Sequence, residues 1–293
     1  MKKNITLLLL LAMLVSVSAC SAKKDIVENE NTETGTRTGT DTDYPLSGFT
    51  RLTASGVVHI VLTQGSVESV RVKECPNPNL ITKVEKRGDE LYVYTKSLKK
   101  NLNLRQGEEP VAYVTMKQIN DVDLSGSTRL KTSSLQTANL KVTISGASKL
   151  HADRLRSDNL KLTCSGASAM DVKTITFGKL NASCSGASNI AATLHGDDVK
   201  LVNSGASNVD FTIEAREMEM SNSGASKSDV RFKGRRLQTS NTGAGKVFLD
   251  VDCEELSASN SGAAKFTIEG TADKTDIQAS GVSKINTSKL NKY

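Results

Sequence analysis

Nine Ser-Gly-Ala-Ser motifs or close variants run through the C-terminal half of the chain. Their glycines are Gly126, Gly146, Gly166, Gly186, Gly205, Gly224, Gly243, Gly262 and Gly281, at intervals of 20, 20 and 20 residues and then five of 19. A period this constant means one small unit stacked on copies of itself, and it constrains the fold before any single strand is considered. Six, four and two residues before each glycine stand mostly apolar residues, such as Leu140, Val142 and Ile144, or Leu160, Leu162 and Cys164. Four and six residues after it come Leu150 and Ala152, Met170 and Val172, and their equivalents, with Ser228 the exception in the first of these columns. Residues between are mostly polar. Alternation with period two marks half-buried strands.

Each unit therefore reads as strand, glycine corner, strand and short return. A unit of 19 or 20 residues has no room for a helix, so a leucine-rich repeat is excluded. No Gly-Gly-x-Gly-x-Asp occurs, so the calcium-binding nonapeptide solenoid is excluded too. The expected fold is all-β: a single right-handed parallel β-helix of 19- to 20-residue coils, in register, about 4.8 Å apart. Gly suits a corner that needs positive φ or close backbone approach. Two residues before the later glycines, Asn203, Asn222, Asn241 and Asn260 replace apolar residues at inward parity. Stacked amides that bond to one another along the axis would satisfy themselves there, a structural ladder rather than a catalytic or metal site.

The N-terminus reads as an address. Lys2 and Lys3 precede an apolar run, Ile5 to Val17, that ends in Val17-Ser18-Ala19-Cys20. This looks like a lipoprotein signal, residues 1–19, with Cys20 the lipidated first residue of the mature chain. The run is short for a bilayer span, so Cys20 would anchor the chain to a membrane without crossing it. Residues 20–44 are rich in Thr, Asn, Glu, Asp and Gly, with no hydrophobic periodicity. They read as a disordered tether. The β-helix domain is expected over 45–293, with irregular N-terminal coils and a cap at 45–125 and regular coils at 126–288. Val57 to Leu62, Val70 to Val72, Leu91 to Tyr94 and Val111 to Val114 are β-rich runs, and Gly56 and Gly65 echo the corner. Lys284, Lys289 and Lys292 would protect the far edge from further strand pairing.

The run Phe49-x-x-Leu52-x-Ala54-Ser55-Gly56-Val57-x-x-x-Val61-x-x-x-Gly65 resembles the opening of the head GIN domain auto-transporter adhesin family, and the Ser-Gly-Ala series resembles its C-terminal portion. The resemblance covers about residues 45–288. It implies a β-helix in a secreted lipoprotein of the Bacteroidetes type, placed in the outer membrane, facing the periplasm or the surface. It carries no catalytic residues across.

The residues themselves offer little chemistry. Lys and Arg number 38 against 32 Asp and Glu; without Lys2 and Lys3 the balance is 36 against 32, no nucleic-acid-type excess. No nucleic-acid partner, cofactor or metal is expected. Cys75, Cys164, Cys184 and Cys253 lack zinc spacing; Cys164 and Cys184 stack in adjacent coils as buried small hydrophobes or, alternatively, a disulfide. His59, His151 and His195 read as ordinary strand histidines. Nine equivalent serines are structural, because a nucleophile needs a base and an oxyanion site at one place. Asp171, Asp210 and Asp229 stand five residues after their glycines, and paired carboxylates there would suit a polysaccharide lyase or hydrolase. A face balanced by lysine is the blander reading. Three residues after the glycine, Lys227, Lys246, Lys265 and Lys284 occupy consecutive coils. Such a row repels itself and would welcome an anion. With few aromatic platforms for stacking on sugars, it is the candidate ligand face. The expected function is a non-enzymatic envelope binding or scaffold module, an adhesin for glycans or another surface partner. Two alternatives are a polysaccharide-active β-helix enzyme and a structural envelope protein that binds another protein.

Overall fold

The computed structural model describes residues 36–38, 41–100, 104 and 108–291. The signal, Cys20 and most of the tether lie outside these residues, as does Lys292. All the regular elements described are strands. β1 (Thr36–Thr38), β2 (Asp41–Tyr44), β3 (Arg51–Ser55), β4 (His59–Gln64), β5 (Ser69–Lys73), β6 (Leu80–Arg87), β7 (Glu90–Ser97), β8 (Val111–Met116) and β9 (Asp121–Leu124) are short. β10 (Arg129–Ile144), β11 (Lys149–Cys164), β12 (Ala169–Cys184), β13 (Asn189–Asn203), β14 (Asn208–Asn222), β15 (Lys227–Asn241), β16 (Lys246–Asn260) and β17 (Lys265–Ala279) each run 15 or 16 residues; β18 is Lys284–Asn291.

The chain is a β-solenoid. β10 pairs with β11 in parallel at an offset of 20, Arg129 against Lys149 through Ile144 against Cys164. β13 pairs with β14 at an offset of 19, Asn189 against Asn208 through Asn203 against Asn222. The expected separate return does not exist: one long strand carries each coil from corner to corner, and the residues between its two inward-facing runs pair with the next coil as well. Pairing through the return satisfies most of the backbone groups that a looped return would have left to water.

The corner explains the motif. The column glycines from Gly126 to Gly281 have φ between +66° and +102°. A Cβ on any of Gly146 through Gly262 would fall 2.6–2.7 Å from the carbonyl oxygen of the glycine one coil below. Conformation and space both demand glycine. That same oxygen accepts the next amide of the coil above, as in Ala147 N–H to Gly126 O at 2.7 Å and Ala187 N–H to Gly166 O at 2.8 Å.

The N-terminal coils join the solenoid out of sequence order. β3 lies between β7 and β9, and β4 between β8 and β10, all in parallel. Gly56 therefore sits directly beneath Gly126, 70 residues later; a Cβ on Gly126 would meet its backbone at 2.8 Å. Below, Thr95 ends the column, its hydroxyl taking the Val57 amide at 2.7 Å where a glycine carbonyl would otherwise stand. Gly65 does not make a corner; its φ is not positive. The cap expected over this region is antiparallel: β6 covers β7, β5 covers β8, and β2 covers β5. Because β2 begins at Asp41, paired structure reaches into the segment read as a tether ending at residue 44.

One continuous apolar core fills the coils from Leu46 to Ala272. Phe211 and Phe266 point into it as their parity requires.

Candidate functional site

Outward side chains of successive coils form columns, since the strands are in register. Several charged columns pair opposite charges from one coil to the next. Asp153 pairs with Lys173 at 2.5 Å, Lys200 with Glu219 at 3.1 Å, Lys233 with Asp252 at 3.0 Å and Arg236 with Glu255 at 2.7 Å. Hydrogen bonds across these pairs hold the Asp153, Asp252 and Glu255 carboxyls below their ordinary range and raise Lys173, Lys233 and Arg236.

Column +3, the third residue after each glycine, departs from this pattern. Lys227 stands against Lys246, Lys246 against Lys265, and Lys265 against Lys284. All four are exposed, and none forms an ion pair. The structure thus places the four lysines as the spacing predicts and leaves them without counter-charges.

Toward the N-terminal end, columns +3 and +5 flank a groove of about 900 Å³ running from His59 to Lys227 and Asp229. It exists because Ala169, Asn189 and Asn208 are short where neighbouring coils carry lysine or arginine. This groove is absent from the sequence reading, though the signal was present: His59 is third after Gly56 and so extends column +3.

The acidic residues do not assemble a catalytic pair. Asp171 accepts or shares a proton with His151 Nδ1 at 3.1 Å. Asp210 and Asp229 stand in adjacent coils, but Arg231 reaches both, at 3.5 and 3.6 Å. His195 pairs in the same manner with Glu214 at 3.1 Å. A glycosidase needs two carboxylates with separate roles around one bond; here Asp210 and Asp229 share one guanidinium, and Asp171 is hydrogen-bonded to a histidine. Among the described residues no three His, Cys, Asp or Glu side chains gather as metal ligands do.

Cys164 and Cys184 are in register and buried as free thiols, without a disulfide. Burial pushes the Cys164 thiol up to about 12 and raises Cys184 as well. They are packing residues. The asparagine column is also structural, but its wiring differs from a simple amide stack. Asn241 Nδ2 donates to Asn260 Oδ1 at 2.8 Å, the one direct link between neighbours. Asn203 and Asn222 are joined through Ser228: Asn203 Nδ2 donates to Ser228 Oγ at 2.9 Å, and that hydroxyl donates to Asn222 Oδ1 at 2.7 Å. The one serine in an apolar column is the bridge.

Residues 48–211 and 213–292 match the family described as "Putative auto-transporter adhesin, head GIN domain". The chain belongs to that family. Head GIN membership agrees with the solved structures that share its fold. A "putative lipid binding protein" from Parabacteroides distasonis superposes with a TM-score of 0.64 at 16% identity, over 88% of this chain and 97% of its own. A "putative adhesin" from the same species gives 0.57 at 18% identity, over 89% and 99%. Another from Parabacteroides merdae gives 0.56 at 15%, over 84% and 95%. At such identities the likeness is one of fold. No curated protein matches the sequence.

Proposed function

We propose that this head GIN chain is a non-enzymatic binding module of the bacterial cell envelope, tethered through a lipidated Cys20, that holds an acidic glycan along the row Lys227, Lys246, Lys265 and Lys284. The observation that carries the reading is the uncompensated row itself, four lysines in consecutive coils, in a molecule that pairs opposite charges between coils at several other places. Like charges about 4.8 Å apart repel, and an anionic partner converts that repulsion into attraction. A straight row beside a groove suits a linear chain better than a flat bilayer. The enzymatic alternative draws no support from Asp210 and Asp229, which share Arg231, or from Asp171, which is hydrogen-bonded to His151.

The test is binding of the full chain to an array of neutral and acidic glycans at low and physiological salt, beside vesicles of anionic lipid. Acidic glycans should bind, more weakly as salt rises. The variant Lys227→Gln/Lys246→Gln/Lys265→Gln/Lys284→Gln should lose that binding. Failure to bind any glycan at either salt would sink the proposal. Binding to vesicles alone would transfer the row to a lipid surface.

A further inference from the structure

The lysine row occupies only the C-terminal part of column +3. At the other end of the same column a second group of cations stands over the groove. Arg129 is in register with His59 on one side and Lys149 on the other, and Lys131 lies two residues along the same strand. Glu109 takes up Arg129 at 2.7 Å. Lys131 and Lys149 are exposed, and neither forms an ion pair. His59 is half-buried, and burial together with Arg129 and Lys131 pushes its imidazole toward the neutral form, against a smaller opposing pull from Glu109. At this end of the groove Lys131 and Lys149 are thus the cations left without a counter-charge, while its far side carries Asp171, Asp210 and Asp229.

Between the two cationic stretches, column +3 carries Ala169, Asn189 and Asn208. These neutral rungs leave the groove open and offer amides, with Asn208 Nδ2 already donating to Asn189 Oδ1 at 2.8 Å. Three acids face that stretch: Asp171, hydrogen-bonded to His151, and Asp210 and Asp229, which share Arg231, so an anion is held at the two cationic ends and not along the middle. From Lys149 to Lys227 is four coils, roughly 19 Å at about 4.8 Å per coil.

We infer that the groove is a second anion subsite on the same track, and that the ligand is a linear glycan charged on successive sugars, lying parallel to the solenoid axis and long enough to touch Lys149 and Lys227 together. This rests on the reading of the lysine row as a glycan contact and adds the ligand's length, direction and charge pattern. A pyranose ring in a linear glycan is about as long as one coil is high, so carboxylates on successive sugars can meet Lys227 to Lys284 coil by coil and, past the neutral rungs, Lys149. A chain seated at both ends gains through effective concentration, because its second contact is intramolecular. An isolated phosphate or a single headgroup would gain nothing from the distance between the stretches.

The experiment is calorimetric titration of the full chain with galacturonate, its oligomers of increasing length and the polymer. Affinity should rise about a hundredfold once the oligomer outgrows the roughly 19 Å gap. Lys131→Gln/Lys149→Gln changes two exposed side chains without ion pairs, and circular dichroism checks that its fold is kept. It should bind short oligomers as the native chain does and lose the step with length. The ring resonances of His59 should shift toward the protonated form with long oligomers only. If the double variant keeps the length step, or free galacturonate binds as tightly as the polymer, the inference fails while the lysine row stands. If the fourfold lysine variant binds short oligomers as well as the native chain does, the reading of the row fails.

Discussion

A single hydroxyl, that of Ser228, ties two buried asparagines together across three coils. By pattern alone the position asks for an apolar residue, as in Val209 and Val247 on either side. Ser228→Val restores the pattern and should nonetheless destabilise the protein, by about 1–3 kcal/mol, because it removes the donor to buried Asn222 Oδ1 and leaves Asn203 Nδ2 only its long bond to Lys227 O at 3.5 Å. Chemical denaturation checks it; a variant as stable as the native chain would show that the bridge contributes nothing. The column glycines allow a sharper comparison. Gly186→Ala places a Cβ 2.6 Å from Gly166 O at φ +70°, whereas Gly281→Ala meets Gly262 O only at 3.4 Å with φ +71°. The second change costs conformation alone, about 1 kcal/mol, and the first should cost about 2 kcal/mol or more, since backbone must also move. Equal losses would mean that close approach is not what keeps the column glycine. Both roles of these glycines were legible from repetition. The Ser228 bridge was not, because parity says which side chains point inward and says nothing of which polar atoms meet there.

At the scale of the element, a stack of identical coils must start and stop somewhere, and each end has open hydrogen bonds. Thr95 closes the corner column at its base through the Val57 amide. Gln64 does similar work where β4 ends: its side-chain amide donates to Gln136 O at 2.8 Å and accepts from Gln136 N–H at 2.7 Å, standing in for a missing strand beneath β10. Thr95→Val keeps the shape and removes the hydroxyl, so it should cost about 1 kcal/mol, and Thr95→Ser should recover most of that. Thermal melts of the two variants decide the matter; matching losses would assign Thr95 a packing role instead. The long strands of the regular coils follow from period two sustained on both sides of the glycine. Their continuity through the return was missed, because exposed polar residues there look like loop until the next coil supplies their hydrogen bonds.

For the whole molecule, the balance of charge matters more than its sum. Opposite charges are paired between coils at several places, and the row from Lys227 to Lys284 sets four like charges in succession with no ion pair. If the row serves binding at the expense of stability, the fourfold Lys→Gln variant should melt higher than the native chain at low salt, by about 2 °C, and the gain should fade as salt screens the row. A variant that melts lower would give the lysines a structural role. The row was legible from spacing, because a constant period turns sequence position directly into a place on a face. The groove beside it was not, because its N-terminal wall comes from a coil 70 residues away in sequence.

Period and parity by themselves determined the coil, its glycine corner, its in-register stacking and its columns, since both are local properties that stacking merely repeats. Only the tertiary structure decided that β3 and β4 slide between β7–β8 and β9–β10, that antiparallel strands close the base, and that His59 and Lys149 border one groove. The reason is physical. Any strand with alternating apolar residues can add to a parallel sheet edge, so which one does so is settled by the fit of whole coils and by the side chains that satisfy the last open hydrogen bonds.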